Sequence, residues 1–166
     1  MIQRSRKTEL FFYKLADYFS AMLAWFLFFV YRKNIEDAGV SIAEILENER
    51  LWQGLFFVPL FWLTLYFIFD KYRDIYRISR LETLKITFFI SFMGSLILLF
   101  TVVTDDKVLE YISYFSLFIR LFLLNFLITS IARMIILTIA SKRLKSGKIQ
   151  YNTLIIGGDK NAVELY

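Results

Sequence analysis

Three groups of residues in this sequence carry chemistry. Near the C-terminus, YNTLIIGGDKNAVELY sets Gly157 and Gly158 between an apolar run and a segment that reads as helix. That order lets a tight turn offer backbone N–H groups at a helix N-terminus. Asp17, Arg120 and Arg133 each interrupt an otherwise apolar stretch, where a charge must meet a counter-charge or reach back to water. In DKYRDIYRISRLETLK, Arg73, Arg77 and Arg80 alternate with Tyr72, Ile75, Tyr76 and Ile78. This pattern suits aromatic rings at headgroup depth with guanidinium groups on lipid phosphates. There is no Cys and no His, hence no disulfide, thiolate nucleophile, imidazole base or zinc set of the usual kind.

The elements that must position these groups are apolar. The chain of 166 residues is 58% hydrophobic, with 19 Phe and only 21% charged residues, an apolar load beyond what a soluble core takes up. Leu51–Phe69 and Ile86–Thr104 are free of charge for 19 residues each, or about 28 Å of helix against a hydrocarbon core of roughly 30 Å. Residues 15–31 hold one charge, Asp17, and residues 111–141 hold only Arg120 and Arg133. The sequence thus predicts four transmembrane helices over about 15–31, 51–69, 86–104 and 111–141. The first follows a basic N-terminus, but its core AMLAWFLFFVY runs into Arg32 and Lys33 with no small-x-small cleavage pattern, so it reads as an uncleaved anchor.

Of the Lys and Arg outside the spans, fourteen lie in the N-terminal segment, the loop after span two and the tail, against four in the other two loops. By the positive-inside rule both termini face the cytoplasm. The net charge of +5 is then a topology signal and an attraction to anionic headgroups. No nucleic acid is expected as a partner.

Asp17 near the inner end of span one and Arg133, about 12 Å from the inner end of span four, are placed for an intramembrane pair. Snorkelling of Arg133, or its contact with a lipid phosphate, stays open beside that. Arg120, on the outer side, is expected to snorkel to headgroups. Pro59 predicts a kink in span two. Ser91, Gly94 and Ser95 form a small-residue face on span three, and Asn125 and Thr129, four apart, can bond to a neighbouring helix. In the outer loop, Ser41-Ile42-Ala43-Glu44 has the form of a capping box and predicts a short surface helix.

At the C-terminus, residues 152–156 read as a strand, Gly157-Gly158 as a turn and 161–166 as the opening of a helix, the way a Rossmann-like domain begins. Against G-x-G-x-x-G/A, GGDKNA puts Gly157 in the first place and Ala162 in the last, but Asp159 replaces the middle glycine. The motif therefore serves the start of an α/β domain better than a nucleotide site. The sheet such a strand would nucleate does not follow, so the sequence reads as the front piece of a longer protein. The expected fold is an all-α membrane protein: a four-helix transmembrane domain over 1–148, then the truncated first strand-turn-helix of a Rossmann-like α/β domain over 149–166.

WFLFFVYRK, YRDIYRISRLETLK and KIQYNTLIIGGDKNAVELY, with the basic N-terminus, resemble the membrane-embedded front of bacterial polyprenyl-phosphate hexose-1-phosphate transferases, the exopolysaccharide glycosylphosphotransferases. The resemblance covers essentially the whole chain and implies location in the bacterial inner membrane. It also implies a parent enzyme that moves a sugar 1-phosphate from a UDP-sugar onto undecaprenyl phosphate to initiate exopolysaccharide or capsule biosynthesis. In that family the catalytic Asp-Glu pair, the magnesium and a re-entrant helix belong to a C-terminal domain. No position here corresponds to them, so the resemblance implies a segment that is inactive alone, binds membrane lipids, and has no catalytic residue, metal or cofactor of its own. Two other readings stand beside it: the membrane domain of a nucleotide-sugar 4,6-dehydratase, and a non-enzymatic membrane scaffold or sensor. Homo-oligomerisation is open.

Overall fold

The computed structural model describes residues 2–36, 40–69, 79–103 and 111–146. In chain order these form α1 (Ile2–Glu36), α2 (Ile42–Leu46), α3 (Glu49–Ile68), α4 (Arg80–Leu98), a π-helical turn (Leu99–Val103) and α5 (Tyr111–Lys145). There is no strand among the described residues. The strand, the Gly157-Gly158 turn and the helix expected after residue 148 lie outside them. Four helical stretches, Leu10–Ile35, Glu49–Ile68, Arg80–Thr101 and Tyr114–Lys145, are long and apolar enough to cross a membrane. On length and composition this is a multi-pass membrane protein.

The helices overrun the apolar runs that announce them. α1 begins at Ile2 and carries the basic N-terminal segment as helix, because a helix already nucleated in its apolar part adds each further residue cheaply. α4 starts at Arg80, ahead of the charge-free run. Ser79 caps it with an extended backbone and a hydroxyl that accepts from the Glu82 N–H at 3.1 Å. The expected surface helix is α2, capped by Ser41, whose hydroxyl accepts from the Glu44 N–H at 3.3 Å. Ile45 of α2 is buried against the bundle. Asn48 caps α3 through the Arg50 N–H at 3.0 Å, and Trp52 Nε1 donates to the Leu46 carbonyl at 2.8 Å, tying α3 back to α2. α3 contains Pro59 and remains one continuous helix from Glu49 to Ile68.

α1 packs against both α3 and α5, α5 packs against α4, and a lighter α3–α4 contact closes the bundle. The larger core cluster holds Trp25, Phe28, Leu51, Trp62, Ile90 and Leu121 among others; a smaller one gathers Tyr13, Leu137 and Ala140. Because Tyr13 meets Leu137 and Ala140 there, the start of α1 lies beside the end of α5. The outer surface is apolar, with Phe11, Phe57, Phe67, Phe100, Phe115 and Ile131 all exposed, whereas among the described residues ten polar or charged side chains are buried. A soluble bundle has the reverse polarity. This one suits a hydrocarbon surround.

Two glycines allow the closest approaches. A Cβ on Gly54 would fall on the Trp25 indole, and one on Gly94 would fall on the Trp62 ring. Gly94 is one of the small residues noted on span three, and its partner is Trp62 of span two. Alanine in an open helix position is favourable, but here it overpacks the seam. Gly54→Ala and Gly94→Ala should each destabilise the bundle by about 1–3 kcal/mol, read as earlier loss of monodisperse protein on heating in detergent. Trp25→Phe should recover part of the Gly54→Ala loss and none of the Gly94→Ala loss.

Candidate functional site

Every fourth residue of α5 from Leu117 to Leu137 is buried: Leu117, Leu121, Asn125, Thr129, Arg133 and Leu137. A spacing of four sets each side chain beside the next in a row that winds slowly round the helix, and the last polar member of the row is Arg133. On α4, Thr83, Thr87, Ser91 and Ser95 are likewise four apart and buried. The two rows face each other. Asn125 Nδ2 donates to Ser91 Oγ at 3.0 Å, and Arg133 Nη1 donates to Thr87 Oγ1 at 2.7 Å.

Asp17 completes the site from α1. Arg133 Nε donates to Asp17 Oδ1 at 2.8 Å and Nη2 to Oδ2 at 2.7 Å, a bidentate fork that matches guanidinium to carboxylate. Both side chains are enclosed, at 0% and 1% exposure. From α3, the Tyr66 ring lies under the guanidinium, with Arg133 Cζ 3.8 Å from the ring centroid; Tyr13 of α1 stands farther off at 5.5 Å. One guanidinium therefore touches all four long helices: an ion pair to α1, a hydrogen bond to α4, a ring on α3 and its own backbone on α5.

The residues named from sequence fall in different places. Asp17 and Arg133 are brought together. Arg133, named also as a lipid-phosphate contact, is enclosed here, with its guanidinium bonded to the Asp17 carboxylate and the Thr87 hydroxyl. Arg80 is exposed at the first turn of α4, whereas Arg73, Arg77, Gly157 and Gly158 lie outside the described residues. Arg120 is exposed and stacks on Tyr31 of α1, with Cζ 3.9 Å from the ring centroid. Asn125 meets Ser91 on span three, one of the small residues noted there. Sequence reasoning missed Tyr13, Tyr66 and Thr87. The signal for Thr87 was present, as a hydroxyl row that begins at Thr83 and continues through Ser91. Nothing in the sequence marks the two tyrosines among ten.

Chemically the cluster is closed. The carboxylate is opposed by a fixed positive charge. The Thr87 hydroxyl donates to the Thr83 carbonyl at 2.6 Å while it accepts from Arg133, so it is held as a relay rather than presented as a nucleophile. Among the described residues no three His, Cys, Asp or Glu side chains gather as a metal set. What the arrangement does is cross-link helices. No family model, curated protein or solved structure matches the chain.

Removing one partner leaves the other charge buried alone, which costs more than the pair is worth. Asp17→Leu and Arg133→Met should each lower stability by about 3–5 kcal/mol. The double variant Asp17→Leu/Arg133→Met should lie nearer the parent than either single change. Thr87→Val, which removes one hydrogen bond to a charged group, should cost about 1.5–3 kcal/mol. Thermal unfolding followed by tryptophan fluorescence in detergent reads all four. Strictly additive single losses in the double variant would mean that the two side chains are not coupled.

Proposed function

We propose that the chain is the membrane-anchoring part of a sugar transferase that moves hexose 1-phosphate from a UDP-sugar to undecaprenyl phosphate, the initiating step of exopolysaccharide or capsule biosynthesis. On this reading it sits in the bacterial inner membrane with both ends in the cytoplasm. The observation that carries the proposal is the return of the chain to its starting side. Four candidate spans bring the end of α5 back beside the start of α1, and α5 finishes on Lys142, Arg143 and Lys145. Together with the resemblance of the Arg/Tyr-rich loop and of the segment after residue 148, this supports an anchor that delivers a soluble domain to the face where a lipid phosphate is presented.

The transfer itself is assigned elsewhere. Among the described residues no carboxylate cluster is assembled that would hold magnesium. The carboxylate nucleophile and the magnesium belong, on this proposal, to the C-terminal domain of the longer protein. The residues of this chain hold the membrane domain together and set its orientation.

Topology is testable on the chain alone, because it contains no Cys. Glu47→Cys in the α2–α3 connection and Ser146→Cys after α5 are both at exposed positions. A membrane-impermeant maleimide should label Glu47→Cys on intact inner-membrane-exposed cells, and Ser146→Cys only after the membrane is opened. The opposite pattern overturns the orientation.

Activity needs the longer protein. Membranes carrying that protein should release UMP from one member of a UDP-hexose panel only when undecaprenyl phosphate and magnesium are added, and membranes carrying residues 1–166 should release none. A folded longer protein with no lipid-dependent release across the panel rejects the transferase and favours the dehydratase reading.

A further inference from the structure

The α1–α5 seam carries a groove at the end where α1 starts and α5 finishes. Its volume is about 490 Å³, within the roughly 300–1,000 Å³ of small-molecule sites. Ala16 on α1 and Ala140 on α5 leave room that larger side chains would fill. Phe12, Phe19, Ile136 and Ile139 line it as well, and Arg143 borders it at the basic end of α5. Phe12 to Phe19 and Ile136 to Arg143 each cover seven residues of rise, roughly 10 Å. The groove is therefore a trench along the helices, apolar along its length and cationic at one end.

We propose that this groove binds an anionic phospholipid, with one acyl chain along the trench and the headgroup phosphate at Arg143. Charge complementarity selects the occupant. A second groove of about 460 Å³ lies between α4 and α5, lined by residues such as Phe92, Leu96, Phe100 and Phe118, and its lining includes no charged side chain. An acyl chain alone suits that one. In the α1–α5 groove, the apolar length and the cation together match a molecule with a hydrocarbon tail and a phosphate head. Lys142 and Lys145 share the last turn of α5 with Arg143. Three cations offset the partial negative charge at a helix C-terminus, which by itself would repel a phosphate. A lipid seated here bridges α1 and α5 just beyond the Tyr13–Leu137–Ala140 cluster. It reinforces the same pair of helices that Asp17 and Arg133 join. The inference is independent of the transferase reading, since it concerns bulk membrane lipid.

The 1–166 chain, purified in mild detergent, is titrated with dioleoyl phosphatidylglycerol or dioleoyl phosphatidylcholine and examined by native mass spectrometry. Phosphatidylglycerol should be retained in preference to phosphatidylcholine. Arg143→Gln should lower its retention about fivefold, the factor expected for one juxtamembrane cation. Ile139→Trp, which fills the trench from an exposed position, should lower it at least as much. Arg120→Gln, an equal change of charge elsewhere on α5, should leave it unchanged. Helicity and elution volume must match the parent for each variant.

Equal retention of the two lipids by the parent overturns the proposal. So does an equal loss in Arg143→Gln and Arg120→Gln, which would reduce the effect to overall charge. Full retention in Ile139→Trp overturns the placement in the groove. A dimer that forms without lipid and is broken by Ile139→Trp would assign the surface to a second copy of the chain instead.

Discussion

A guanidinium enclosed by apolar helices must be neutralised where it stands, and the packing of this bundle follows from how Arg133 achieves that. An arginine at the centre of a spanning helix is disfavoured by about 2.5–3.5 kcal/mol even on lenient insertion scales. It cannot simply be left facing hydrocarbon. Asp17 answers both the charge and the geometry, because two parallel N–H···O bonds fix the orientation of the fork as well as its position. The partners then fix helix registers: α1 against α5 through Asp17, α4 against α5 through Thr87, and α3 through the ring of Tyr66. A slide of α1 against α5 by one turn would strand two buried charges.

Such a constraint matters more here than in a soluble protein. Lipid tails are as apolar as leucine, so exclusion from water does little to bring spanning helices together. Close packing and polar contacts must do it. The bundle shows both. Trp25 over Gly54 and Trp62 over Gly94 bring α1 to α3 and α3 to α4 at short range, while the facing rows of Thr, Ser and Asn join α4 to α5. The phenylalanines are used differently. Phe118, Phe122 and Phe126 stack in sequence along α5, with Phe88 and Phe92 of α4 set edge-on against them. They close the α4–α5 seam on the side away from the polar row.

A membrane anchor for a soluble enzyme needs a fixed exit, since an enzyme acting on a lipid headgroup has to be held at a set height. A bundle whose first and last helices are clamped by a buried bidentate pair meets that need. Residues after α5 then leave from a helix whose position is set by α1, α3 and α4 together. The lipid groove beside the pair would extend the same clamp into the headgroup layer. On the proposed reading, both features would set where a soluble domain meets the membrane.

The number of spans, their approximate places and the charge bias were legible in the sequence because each depends on local composition. Twenty apolar residues are a candidate span wherever they pack, and Lys and Arg near span ends are counted without coordinates. Ser41 as a cap is equally local, since its hydroxyl bonds to a backbone N–H three residues away. The pairing of Asp17 with Arg133 was readable as a coincidence of depth on two helices of opposite direction. Helix ends were read short at α1 and α4, because charged residues with good helix propensity extend a helix past its apolar core. What the sequence by itself determined is therefore which segments are helices suited to a membrane and which residues among them are costly to leave there. Which face each helix turns to its neighbours was decided only in the tertiary structure. Tyr66 beneath Arg133, Thr87 on its donor edge and the Trp–Gly contacts depend on helix rotation and register. Those are set jointly by all four helices, through contacts between residues up to 116 positions apart.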